Sequence, residues 1–258
     1  MDTYRIFDHF VETFHRVGEL GNANITTGQD SSIITGYPSA LFNFVQFDTK
    51  NQERINKLKN ANIPFVCLPS KKMETEFEKF AQEQGLVKAD FVTASIFDGL
   101  KNWEYAPNLN VQIRQIDNAD GLLKFDKISS IVFSHPENLA FNFLKPIIGH
   151  PEFALFLAYT NGQPVGCGML SFVENQAGLY WGGVLPDFRK QGIATALTEY
   201  RMNYAKEQGY SSIIVQNMTP SLNLYKRLKF EQLGGLPFYM WNTPHYQQNI
   251  DMRSCLVL

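Results

Sequence analysis

Leu179-Tyr180-Trp181-Gly182-Gly183-Val184-Leu185-Pro186-Asp187-Phe188-Arg189-Lys190-Gln191-Gly192-Ile193-Ala194-Thr195-Ala196-Leu197 is the stretch whose reading decides the fold. An apolar strand runs out at Val184, a short turn follows, and a helix opens at Gly192. A helix start leaves up to four backbone N–H groups without intrahelical partners and carries about half a positive charge. Together these make a site for phosphate groups. Gly192 lets the backbone approach an anion closely, Ala194 is small for the same reason, and Arg189 and Lys190 add positive charge beside it. Taken alone, the stretch is equally compatible with an ordinary strand–turn–helix corner bearing a solvated basic pair. It is not a dinucleotide fingerprint, because Gly-x-Gly-x-x-Gly is absent, nor a P-loop, because no Gly-Lys-Ser/Thr follows four spacer residues.

Around this corner the periodicity predicts an alternation of strands and helices. Upstream lie a strand at Val111–Ile116, helices over 119–133 and 137–148, and strands at Phe153–Tyr159 and Val165–Val173, with an Asn161-Gly162 hairpin turn. Downstream, the helix spans 192–208 and stops at Gly209, a strand covers Ser212–Gln216 and a helix 220–229. Short strands near 230–234 and 238–241 follow, then a polar tail from Asn242 to Arg253. Toward the N-terminus, Ile6, Phe10, Val11, Phe14 and Val17 mark an amphipathic helix over 4–18, on which His9 and His15 read as polar or half-buried residues. Six positions apart, they do not form a metal pair on one helical face. Residues 19–40 read as loop with one short strand at Ser32–Thr35. Strands at 41–47, 65–68 and 91–97 then alternate with helices at 50–61 and 72–84, the second ending at Gly85. Residues 98–110, with Gly99, Pro107 and three Asn, are the expected boundary, giving units at 1–105 and 110–242 and a tail at 243–258. The fold class is α+β, with a mixed α/β sheet.

Bulk properties narrow the function. A chain of 258 residues with 21 Phe has ample material for a core, and a net charge of -2 offers no electrostatic footprint for nucleic acid. No apolar run approaches the roughly 18 residues of a spanning helix, and the N-terminus lacks the features of a signal peptide. Asp2 excludes myristoylation there. Cys67, Cys167 and Cys255 form neither a disulfide framework nor a metal cluster, so no metal is expected and a reducing, cytoplasmic setting is.

Val184-x-Pro186-x-x-Arg189-x-x-Gly192-Ile193-Ala194-x-x-Leu197 resembles the central Gln/Arg-x-x-Gly-x-Gly/Ala motif of the GNAT acetyltransferase superfamily. Asn217 and Leu224-Tyr225-Lys226-Arg227-Leu228-Lys229-Phe230 resemble that family's later Leu-Tyr-x-x-x-Gly-Phe segment, with Lys229 in place of the glycine. The resemblance covers about residues 110–242. It implies a GNAT-like fold, acetyl-CoA as cosubstrate and a primary amine, on a protein or a small molecule, as acceptor. By analogy, Gly183, Val184 and Leu185 would pair with pantetheine. Arg189, Lys190, Gln191, Gly192, Ile193, Ala194 and Thr195 would take the pyrophosphate, and Asn217 would complete the cofactor site. Tyr225 would protonate the leaving thiolate. The attacking amine must be neutral, yet a lysine-like amine has a pKa of about 10.4, so a base or desolvation is required. Glu174 is the first candidate base, with Tyr180 and Glu199 behind it. Cys167 reads as an inert buried thiol and His135 and His150 as satisfied loop histidines.

The first hundred residues resemble, on fewer positions, the degenerate GNAT-like half that some of these proteins carry. Leu41-Phe42-Asn43-Phe44-Val45 and Asn62-Ile63-Pro64-Phe65-Val66 fit that pattern, while the Arg/Gln-x-x-Gly-x-Gly/Ala motif is absent. Such a half would wall the substrate cleft. Finally, Cys255-Leu256-Val257-Leu258 fits the C-a-a-X prenylation pattern. The alternative to an enzyme is therefore a catalytically silent acyl-CoA-binding or scaffold protein, reversibly held on membranes through Cys255.

Overall fold

The computed structural model describes residues 1–242; most of the expected tail, Cys255 included, lies outside the described residues. The first part runs α1 (Thr3–Leu20), β1 (Asn24–Thr26), β2 (Ser32–Ile34), β3 (Asn43–Phe47), α2 (Gln52–Asn60), β4 (Phe65–Pro69), α3 (Phe77–Glu83) and β5 (Val87–Phe97). The second runs β6 (Gln112–Gln115), α4 (Ala119–Phe133), α5 (Leu139–Leu144), β7 (Phe153–Thr160), β8 (Gln163–Val173), β9 (Gln176–Val184), α6 (Ile193–Glu207), β10 (Ile213–Asn217), α7 (Leu222–Arg227) and β11 (Glu231–Trp241).

All the strands join one mixed sheet in the order β1-β2-β3-β4-β11-β5-β10-β9-β8-β7-β6. Its pairing is pseudo-symmetric. Inward from one end, β2–β3 is antiparallel, β3–β4 parallel and β4–β11 antiparallel. Inward from the other, β8–β9 is antiparallel, β9–β10 parallel and β10–β5 antiparallel. At the centre β5 and β11 pair with each other, so each part sends one strand across to complete the other's sheet.

Side chains alternate between the two faces of the strands, as the period of two requires. Leu155 and Leu157 join α1, α4 and α5 on one face, whereas Ala154, Phe156 and Ala158 join α6 and α7 on the other, where α2 and α3 also lie. Helix α1 buries Ile6, Phe7, Phe10, Phe14 and Val17 across the middle of the sheet and so touches strands of both parts.

Several expectations change. The loop at 19–40 holds two strands, not one, each too short for periodicity to reveal. The two strands expected after 230 are one, β11, whose register shifts between Gln232 and Gly234: a bulge adds a residue and resets the alternation without ending the strand. The helices expected at 137–148 and 220–229 are short α-helices joined to single 3-10 turns at Pro146 and Pro220; Pro146, which follows α5, has no N–H to continue that helix. The helix expected at 72–84 is likewise a turn at Lys71–Met73 followed by α3. His9 and His15 are almost fully buried rather than half-buried.

Candidate functional site

Helices α1, α2 and α4 are capped by the side chains of Asp2, Asn51 and Asn118. Helix α6 is not. Its cap is Gly192, at φ 79°, with no side-chain bond to the helix. Lys190 also lies in the left-handed region, at φ 60°. Ala196 N–H donates to Gly192 O at 2.9 Å, but among the described residues no hydrogen bond uses the backbone N–H of Lys190 to Thr195. Successive free amides in such a turn form an anion-binding concavity. They border a cavity of about 280 Å³ lined by Val184, Arg189, Lys190, Gly192 to Thr195, Ser221 and Asn223, and Arg227 from α7 adds a basic group that the sequence reading missed. The Arg189 side chain folds back, its Nε donating to Val184 O at 3.1 Å, and burial draws its pKa down. Gln191 turns away, its Nε2 donating to Asp187 O. Gly183 meets α4: a Cβ there would lie 2.8 Å from Val132.

Beside this corner the sheet opens. Parallel pairing of β9 with β10 ends at Leu179↔Val215, so the later residues of the two strands do not pair with each other. On its other side β9 bulges against β8 between the pairs Met169↔Tyr180 and Cys167↔Gly183, and Trp181 within that bulge has φ 52°. A left-handed aromatic residue is strained, and a buried chain of bonds holds it. Its indole N–H donates to Ser129 Oγ at 2.6 Å, and Ser129 Oγ lies 2.7 Å from His135 Nε2. His135 Nδ1 lies 2.8 Å from Pro136 O. A carbonyl only accepts, so Nδ1 carries the proton and Nε2 accepts from Ser129. At the end of β10, Asn217 Oδ1 accepts from Ser95 Oγ at 2.8 Å, while its buried Nδ2 has no partner among the described residues. Free amides, basic groups, an open strand edge and this orphaned donor fit a phosphate-bearing ligand with an amide-containing arm.

Tyr225, 4% exposed, lines the cavity that passes through the gap. Burial raises its hydroxyl pKa, and the positive charge of Arg201 opposes the rise. Arg201 is 2% exposed and, among the described residues, has no carboxylate partner. Its Nη1 donates to Met169 O at 3.2 Å and Tyr180 O at 3.1 Å, and its Nε to Leu197 O at 3.2 Å. The guanidinium thereby ties α6 to the bulged strands. The sequence reading missed it, although Ile193, Leu197, Arg201 and Ala205 sit at i, i+4 spacing on the buried stripe of α6.

Neither glutamate proposed as a base lines the cavity with Tyr225, and Tyr180, which does, has its hydroxyl engaged by His9. Glu174, at φ 48°, occupies the turn that opens β9, the end opposite the gap; its charge acts on Asp8 and Glu12 of α1, whose carboxyl pKa values burial raises first. The Tyr180 phenol points back toward the same end, 2.7 Å from His9 Nδ1, while His9 Nε2 lies 3.0 Å from Gln176 O. Glu199 is half-buried on α6, where desolvation raises its pKa and its charge acts on Tyr105. Cys167 is fully enclosed, and burial pushes its thiol up to about 12.

Residues 121–230 match the Acetyltransferase (GNAT) family. An uncharacterized N-acetyltransferase of Methanocaldococcus jannaschii is 34% identical over 101 residues, which are 35% of this chain and 44% of that protein. The match therefore spans less than half of that relative's length. An N-alpha-acetyltransferase of Sulfurisphaera tokodaii is 27% identical over 142 residues, 48% of this chain and 81% of that one. A GCN5-related N-acetyltransferase from Kribbella flavida has the same overall fold, with a TM-score of 0.69 at 12% identity over 96% of this chain and 99% of that one. The match to the Acetyltransferase (GNAT) family is thus confined to residues 121–230, while the chain as a whole shares the mixed α/β fold of the Kribbella flavida structure.

Proposed function

We propose that the protein is an acetyl-CoA-dependent N-acetyltransferase that acts by direct attack of a primary amine on the thioester. The uncapped start of α6 beside the unpaired edge of β9 carries this reading. The amides of residues 190–195, with Lys190 and Arg227, would neutralise the pyrophosphate. Gly183 to Leu185 and Asn217 Nδ2 would hold the arm in the gap. The amine nitrogen forms a bond to the acetyl carbon, the C–S bond breaks, and Tyr225 Oη gives its proton to the departing sulfur. The proton released from nitrogen restores Tyr225. The part at 1–105, joined to 110–242 by strand exchange, is read as a degenerate half that walls the acceptor cleft: the pseudo-symmetric pairing supports this, and its lack of the Arg-x-x-Gly-x-Ala motif assigns no cofactor to it. A silent acyl-CoA binder held at membranes through Cys255 is not favoured, since the family match is to acetyltransferases.

The test combines calorimetry with acetyl-CoA and thiol release over a panel of amines. Tyr225→Phe should lower kcat by about 10²–10⁴-fold, the usual contribution of a general acid, with acetyl-CoA affinity unchanged. Absence of acetyl-CoA binding by the wild type refutes the reading.

A further inference from the structure

The gap leads through the sheet to a second space. Its first lobe, about 160 Å³, is lined on the α6–α7 face by Leu179, Val215 and Tyr225 and on the α1 face by Phe10, Phe14 and Phe238. A second lobe, about 140 Å³, shares Phe10, Phe14 and Phe238 and adds Leu41, Phe44 and Val66 from the N-terminal part. Among the described residues, no acidic, basic or imidazole side chain from α1, α4, α7, β3, β4, β5, β9, β10 or β11 lines either lobe. The titratable groups among the described lining residues are the phenols of Tyr180, bonded to His9, and of Tyr225.

We infer that the acceptor amine is carried on a ring-sized apolar group that seats in this chamber, and that the chamber presents the amine neutral by desolvating it. The inference rests on the acetyl-transfer reading above and names its acceptor class. Each lobe is close to the roughly 150 Å³ of an apolar cavity that holds benzene. A polycationic acceptor would leave several ammonium groups without a carboxylate in an apolar space, a large cost. A single amine loses its proton there instead, because burial depresses an ammonium pKa. This answers the absence of Glu174 from the gap without a substitute base.

One side-chain acceptor of the first lobe stands ready for the amine. Gln216 lines the first lobe, and its Nε2 donates to Ile6 O at 2.6 Å. That bond fixes the amide orientation and leaves Oε1 buried without a partner among the described residues. Oε1 can accept an N–H from a neutral amine.

The experiment compares 2-phenylethylamine, methylamine and spermidine as acceptors, with thiol release as readout, for the wild type and Leu41→Glu. The wild type should favour 2-phenylethylamine over methylamine by about 30-fold in kcat/KM, the worth of burying a ring, with spermidine poorest. The kcat–pH inflection with 2-phenylethylamine should lie at least about one unit below that amine's solution pKa. Leu41→Glu, remote from the phosphate corner, should keep acetyl-CoA affinity, lose about tenfold in kcat/KM for the apolar amine and move the inflection upward. Equal use of methylamine, preference for spermidine, or an inflection at the solution pKa overturns the inference while acetyl transfer stands. So does a gain with hexanoyl-CoA in place of any gain with the ring, which would make the chamber an acyl pocket. No acetyl-CoA binding and no thiol release with any amine would instead sink the acetyl-transfer reading, and this inference with it.

Discussion

Ser129→Ala tests how the strained bulge is held. Ser129 is fully buried, accepts from the Trp181 indole N–H at 2.6 Å and donates to His135 Nε2 at 2.7 Å. The substitution leaves one buried donor and one buried acceptor unmatched. Each such group costs about 1–3 kcal/mol, and the gain from alanine at a mid-helix position returns only about 0.5 kcal/mol. The expected net loss is therefore about 3 kcal/mol, measured as a lower urea midpoint at constant m. The partners can be separated by a double-mutant cycle. In a Trp181→Phe background the indole donor is already gone, so Ser129→Ala orphans only His135 and should cost about half as much, a coupling of at least about 1 kcal/mol. Because Trp181 lines both lobes of the chamber, Ser129→Ala should also raise KM for the amine more than KM for acetyl-CoA. A loss below about 0.5 kcal/mol, or the same loss in both backgrounds, would refute the reasoning.

Two further outcomes follow from buried groups. Burial holds His9 and His135 below the free-imidazole pKa. As pH falls through about 6.5 the unfolded chain takes up protons that the folded chain refuses. Their contribution to stability is thus whole above about pH 6.5 and is lost below it, by up to about 1.4 kcal/mol per pH unit for each histidine; a urea midpoint that stays flat between pH 7.5 and 5.5 contradicts this. Gly168→Ala would set a Cβ 2.8 Å from Arg201 Nη1, forcing the guanidinium off the carbonyls of Met169 and Tyr180. A loss of about 2–4 kcal/mol is expected in urea unfolding, with the alkaline limb of the kcat–pH profile moved upward as Tyr225 loses its neighbouring cation. An unchanged midpoint and profile would show that Arg201 does not bear on Tyr225.

The uncapped start of α6 was legible because its signal is local: Arg189 to Thr195 are consecutive, and one strand–turn–helix sets their geometry. The chamber was not. Phe10, Phe44, Trp181 and Phe238 come from four distant elements, and each alone reads as core. Glu174 illustrates the same limit in reverse. It follows directly on β8, but which end of β9 faces the gap depends on where pairing with β10 stops, a tertiary fact. Arg201 was legible in principle, since a charge on the buried stripe of an amphipathic helix calls for a partner. The partners are main-chain carbonyls, which no residue type announces.

The exchange of β5 and β11 governs whether residues 1–105 and 110–242 can exist apart. Strand β5 pairs with β10 from Thr93 to Phe97 and with β11 from Val87 to Ile96. A fragment of 1–105 keeps β5 but loses β11, its link to β4, and so carries a strand with no neighbour. A fragment of 110–242 keeps β11 but loses β5, its link to β10. Each break bares long runs of backbone N–H and C=O groups and apolar side chains such as Val92, Ala94, Leu236 and Phe238, all buried in the whole chain. Exposed edges of this kind favour association over solution as monomers. Each fragment expressed alone should therefore give poor amide-exchange protection or aggregate, and co-expression of the two should restore a soluble heterodimer with the circular dichroism of the intact chain. If 110–242 alone were monomeric, unfolded cooperatively and bound acetyl-CoA, the exchanged strands would be dispensable. The walls of the apolar chamber would then be able to part, and its shape could not set the acceptor.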